Sequence, residues 1–177
     1  MSEIQTLRRR VKILLLVFII GLVLSGLTAF PLAWELRVLH AFLHSPAVHP
    51  HVWPPLAAWI AHVNSGLQAS DARYPFLAYG TDWLAFAHLV IAVAFIGPWK
   101  DPVRNIWVIE FGMIACLLVL PLALIMGPLR GIPFFWQLID CSFGVVGMIP
   151  LWLCRRAILR IQEIETTYAN PLRTHLS

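Results

Sequence analysis

The sequence predicts an all-α integral membrane protein, a bundle of four transmembrane helices with both termini cytoplasmic and a long outer loop containing two short interfacial helices. Three observations predict it. Of the 177 residues, 59% are hydrophobic and 12% charged, whereas a soluble domain carries about 25% charged residues. Four apolar stretches approach or exceed the roughly 18 to 20 residues that cross a hydrocarbon core about 30 Å thick. Basic residues gather at alternate ends of those stretches. Strands are excluded because an open sheet edge in lipid leaves backbone groups unsatisfied, and the alternating ten-residue segments of a membrane barrel are absent.

Residues 1–12 form a basic cytoplasmic N-terminus with Arg8, Arg9, Arg10 and Lys12. The first span covers 13–32. It exceeds the roughly 7 to 15 residues of a signal-peptide core, and Pro31, Leu32 and Trp34 stand where a small-residue cleavage site would follow, so it is a retained anchor. Residues 33–81 make the outer loop. In "ELRVLHAFLH" Leu36, Leu39 and Leu43 share a helical face, and "PPLAAWIAHVNSGLQ" is a second short helix opened by Pro54 and Pro55. Both lie in the interface, with Trp34, Trp53 and Trp59 at headgroup depth. The second span, 83–99, follows Thr81 as N-cap with Asp82 in the first turn. The third, 103–126, follows Asp101 as N-cap with Pro102 at the first helical position. The fourth, 133–153, is opened by Pro133, and 154–177 continue as an amphipathic cytoplasmic tail. Short turns make the last three spans antiparallel neighbours, and Pro121 and Pro150 should kink their helices.

Orientation follows from the cations. Arg8, Arg9, Arg10, Lys12, Lys100, Arg104, Arg155, Arg156, Arg160 and Arg173 fall on one side, against Arg37, Arg73 and Arg130 on the other. This is the positive-inside pattern of a multi-pass protein, in the inner membrane if the source is bacterial. The net charge of +4 therefore reflects topology and anionic headgroups, and no nucleic-acid partner is expected. Cys116, Cys141 and Cys154 fall in spans or at a membrane edge with no CxxC, which excludes a disulfide-exchanging enzyme with paired outer thiols.

Charged groups inside a span cost on the order of 2.5 to 3.5 kcal/mol each and usually face the protein interior with a role. The candidate ligand-binding residues are His88, Glu110, Gln137 and Asp140. Gln137, Asp140, Gly144 and Gly147 share one side of the fourth span, Ala85, His88 and Ala92 one side of the second, and Gly21, Ser25 and Thr28 one side of the first, a pattern that lets helices approach and hydrogen-bond. Counted at the helical rise, His88 and Asp140 descend about 9 to 10 Å from the outer face. Glu110 lies roughly 11 to 12 Å from the inner one, about 10 Å below the other two. It is either a deep acid serving a ligand or a group hydrogen-bonded to a neighbouring helix. His40, His44, His49 and His51 cluster in the outer loop with one i, i+4 pair, but no Cys, Asp or Glu accompanies them, so no metal or other cofactor is expected.

These features favour a protein that binds a lipophilic small molecule (lipid, isoprenoid or quinone) through polar groups inside the bundle. The alternatives are an accessory or scaffold subunit of a larger membrane complex, with a membrane-protein partner or a second copy, and an oligomeric proton or solute carrier. Enzymatic acid/base chemistry needs two groups poised around one substrate, and the unequal depths of Glu110 and Asp140 weigh against it; no catalytic residue is assigned.

Overall fold

The computed structural model describes residues 3–169, so Arg173 and the end of the predicted tail lie outside the described residues. Among the described residues seven α-helices follow one another: α1 (Glu3–Ala29), α2 (Leu32–Leu43), α3 (Pro54–Arg73), α4 (Ala78–Ala94), α5 (Ile96–Lys100), α6 (Ile106–Leu129) and α7 (Phe134–Ala169). Short 3-10 turns occupy His49–His51 and Pro75–Leu77, and no strand occurs among the described residues. Four helical segments are long and apolar enough to cross a membrane: Glu3–Ala29, Pro75–Lys100, Ile106–Leu129 and Phe134–Tyr168. The chain divides into two compact units, one of residues 1–21 with 92–177, the other of residues 22–91.

In the first unit the framework is the hairpin of α6 and α7. Gly131 turns the chain at φ 68°, a conformation that favours glycine, and the Ile132 N–H closes the turn on the Gly127 carbonyl at 2.9 Å. Small residues let the two helices approach. A Cβ placed on Gly144 would lie 2.5 Å from the Cys116 carbonyl oxygen, and one on Gly127 would lie 2.6 Å from Gln137 Cγ. Gly112 sits against Phe95 and Leu151 in the same way. The start of α1 joins this unit through Val11 and Leu15, which are fully buried with Leu151, Cys154, Ile158 and Ile161 of α7. Phe18 tilts onto Phe95 at 4.8 Å between ring centres. Two ion pairs, Arg8 to Glu165 at 2.8 Å and Arg160 to Glu3 at 3.3 Å, tie the ends of α1 and α7.

Several boundaries differ from the sequence reading. Helix α1 begins at Glu3, ten residues before the apolar run, because its arginines are good helix formers and Arg8 finds Glu165 on α7. Asp101 does not cap α6. Its carboxylate accepts from the Arg104 N–H at 3.2 Å, and Asn105 donates to the Asp101 carbonyl at 2.9 Å, so residues 102–105 form a turn and the helix starts at Ile106. Local bonding of Asp and Asn to nearby backbone competes with helix in this manner. α7 passes through Pro150 without interruption and runs 36 residues, about 54 Å at the helical rise.

The second unit contains the end of α1, then α2, α3 and most of α4. Gly26 is the contact glycine of α1: a Cβ there would lie 2.9 Å from the Ala85 carbonyl oxygen and 3.2 Å from His88 Cβ. Gly21, expected on the inward side, meets nothing within 4 Å, and the Thr28 hydroxyl turns back to the Leu24 carbonyl at 3.0 Å. Helix α3 is longer than the predicted segment and stops at Arg73, before the Tyr74–Pro75 step, where the residue preceding proline leaves the helical region. Pro75 starts the 3-10 turn from which α4 grows, so Thr81 and Asp82 lie within the helix instead of capping it. α4 ends at Ala94, four residues before Pro98, whose ring clashes with the carbonyl of the fourth residue before it.

Candidate functional site

Glu110 and Arg155 meet across the α6–α7 hairpin, where Arg155 Nε donates to Glu110 Oε1 at 2.9 Å. Gln137 is buried, with 4% exposed, and its Nε2 donates to the Ile132 carbonyl at 2.7 Å. It fills the space left by Gly127 and holds the turn through its amide N–H. Replacing Gln137 by leucine, similar in size, should leave the Ile132 carbonyl without its donor and cost about 1 to 3 kcal/mol, read as a lower unfolding temperature in detergent. Asp140, one turn further along α7, is half-buried and has no hydrogen-bonding or ionic partner among the described residues. In the second unit, His88 Nδ1 lies 2.8 Å from the Leu84 carbonyl of its own helix.

Within the first unit, Glu110 and Asp140 therefore do not meet. Arg155, which holds Glu110, is fifteen residues from Asp140 on one continuous helix, about 22 Å at the helical rise. That is about twice the separation expected from counting inward from Pro102, because α7 continues past the apolar run and carries Glu110's partner with it.

The second unit contains an amphipathic cleft of about 420 Å³ instead. Ala29 and Phe30 at the end of α1 form one wall, with Pro31, Leu32 and Trp34 beside them; Leu67, Ser70, Asp71 and Tyr74 come from α3 and its end, Leu77, Ala78 and Thr81 from the start of α4. Arg37 of α2 reaches in. Its Nη2 donates to Gln68 Oε1 at 2.9 Å, and Gln68 Nε2 donates to the Ala33 carbonyl at 3.2 Å. This relay locks α2 onto α3 and fixes the guanidinium at the cleft. Next to it a smaller pocket of about 290 Å³ is lined by Phe30, Tyr79, Asp82, Trp83 and Phe86. Its rings form an edge-to-face ladder, with Tyr79 to Trp83 and Trp83 to Phe86 each 5.9 Å between centres.

Chemically, the cleft offers a guanidinium, a carboxylate and three hydroxyls on walls that are otherwise apolar. Such a surface orients a molecule with a polar head and a hydrocarbon body. Sequence reasoning missed these residues as a site. They come from four helices, and Arg37, Asp71 and Thr81 do not stand out among the other polar residues of the 33–81 segment, such as Glu35, Asn64, Gln68 and Arg73.

His40 stacks on His44 at 4.2 Å between ring centres, and His49 tilts toward His44 at 5.5 Å. Among the described residues no three His, Cys, Asp or Glu side chains are placed to hold a metal ion. The cysteines are free thiols, Cys141 and Cys154 buried. No protein-family model, curated protein or solved structure matches the chain.

Proposed function

We propose that this multi-pass membrane protein binds a lipophilic molecule with a polar head, a lipid, isoprenoid or quinone, in the cleft of the second unit. The observation that supports it is the 420 Å³ cleft in which Arg37, Asp71, Ser70, Tyr74 and Thr81 share walls with Phe30, Leu32, Leu67 and Leu77. The polar head hydrogen-bonds to Arg37, whose geometry suits a carboxylate, phosphate or paired carbonyl oxygens. Asp71 and the hydroxyls complement donors on the same head, and the apolar body lies along Phe30 and Leu77. The positive-inside pattern favours both termini in the cytoplasm, and on that reading the cleft lies at the outer interface. There the exposed indoles of Trp34 and Trp53 hold α2 and α3 at headgroup depth, where an amphiphile arrives from the membrane.

Native mass spectrometry of the protein released from a mild detergent tests this. The expected spectrum carries an extra mass of a few hundred daltons whose affinity falls at least about tenfold on Arg37→Ala, as loss of a charge-assisted hydrogen bond of about 1.5 to 3 kcal/mol requires. A bare chain, or a retained molecule indifferent to Arg37→Ala, overturns the proposal. A stoichiometric second protein in place of the small molecule favours the accessory-subunit reading.

A further inference from the structure

At the end of the first unit that carries the start of α1 and the far part of α7, a groove of about 510 Å³ runs along the seam of the two helices. It is independent of the cleft above. Its floor is hydrocarbon: Leu7, Ile13 and Leu14 of α1 face Leu153 and Ala157 of α7. Its rim is cationic, formed by Arg10, Arg156 and Arg160.

The three arginines are not equally free. Arg160 is engaged by Glu3 at 3.3 Å and Glu163 at 3.2 Å. Arg156 lies with its guanidinium carbon 4.8 Å from the centre of the Trp152 ring, which orients it without neutralising it. Arg10 has no carboxylate partner among the described residues. Two guanidiniums without a carboxylate partner among the described residues therefore line one apolar slot.

We infer that this groove is a binding site for an anionic phospholipid, its phosphate bridging Arg10 and Arg156 and one acyl chain lying on Leu14, Leu153 and Ala157. Charge selects the head, because guanidinium pairs bind phosphate oxygens in a fork geometry. The slot selects a lipid over a free phosphate, since a small anion would leave the hydrocarbon floor uncovered. Basic grooves between membrane helices on the positively charged side suit such headgroups. Arg160, already satisfied, closes the end of the groove and holds α7 to α1.

The experiment uses the full chain, delipidated in detergent and returned to nanodiscs of phosphatidylcholine with or without dioleoyl phosphatidylglycerol. Bound lipid is counted by native mass spectrometry and the unfolding temperature recorded. The wild-type protein should retain one phosphatidylglycerol in preference to phosphatidylcholine, and glycerol phosphate, which has the head but no chains, should not displace it. At about 1 kcal/mol per arginine near the surface, Arg10→Gln and Arg156→Gln should each lower the preference about fivefold. Ala157→Phe keeps every charge and fills the slot, so it should eject the lipid even if the arginine variants fail to fold. Arg130→Gln, in the α6–α7 turn, should change nothing. Equal retention of both lipids by the wild type, displacement by glycerol phosphate, or retention undiminished in Ala157→Phe would overturn the assignment.

Discussion

Arg155→Leu is expected to destabilise the protein by about 2 to 3 kcal/mol, and Glu110→Leu by a similar amount, while the double leucine variant recovers most of the loss. Glu110 stands one turn inside the 24-residue apolar helix α6 and is joined to Arg155 at 2.9 Å. Removing either partner leaves a lone charge near the edge of hydrocarbon, where insertion costs up to about 2.5 to 3.5 kcal/mol, the figure for a helix centre. Removing both leaves two apolar side chains facing each other, and such replacements are often neutral or stabilising. A double-mutant cycle on denaturant unfolding in detergent measures the coupling directly. If each single variant unfolds like the wild type, the pair sits in water, where an ion pair is worth no more than about 1 kcal/mol.

The second large effect is steric. Gly144→Ala should cost about 1 to 3 kcal/mol, the range of an overpacked core, because the new methyl meets the Cys116 carbonyl oxygen at 2.5 Å. That oxygen belongs to the backbone of α6 and moves only if the helices separate. Gly21→Ala is the matched control. Nothing lies within 4 Å of that position, so alanine there should be neutral or stabilising by up to about 1 kcal/mol through helix propensity. Unfolding temperatures of the two variants in one detergent decide the comparison; a Gly144→Ala protein as stable as Gly21→Ala means that α6 and α7 do not pack as described.

The four apolar segments were legible because hydropathy and length are properties of a contiguous run. What lay beyond single runs was read less well. Glu110's partner was within reach of the sequence: around the tight turn at Gly131, Gly127 meets Gln137, Gly112 meets Leu151 and Glu110 meets Arg155, each pair nearly equidistant from Ile132. Depth below the outer polar groups hides this pairing, because the apolar run that marks the fourth span stops at residue 153, before Arg155. Gly26 was missed in favour of Gly21, Ser25 and Thr28 for another reason. Helical spacing shows which residues share a face, but the rotation that aims that face is set by the neighbour, here Ala85 and His88. The cleft around Arg37 was illegible because its walls come from four helices, and no local pattern encodes their meeting.

The Glu110–Arg155 pair also bears on how the chain is made. During synthesis α6 leaves the ribosome first, carrying an acid without its counter-ion. Entering lipid alone, it would have to take a proton or bear the insertion cost of a lone charge. Only the few residues from Arg130 to Pro133 separate it from α7, so the arginine follows soon after. The lower-energy route is for the two helices to wait side by side in the translocation machinery and partition together as a neutral hairpin. A sequence change that lengthens the turn would then act on biogenesis, delaying insertion, before it acted on the finished fold.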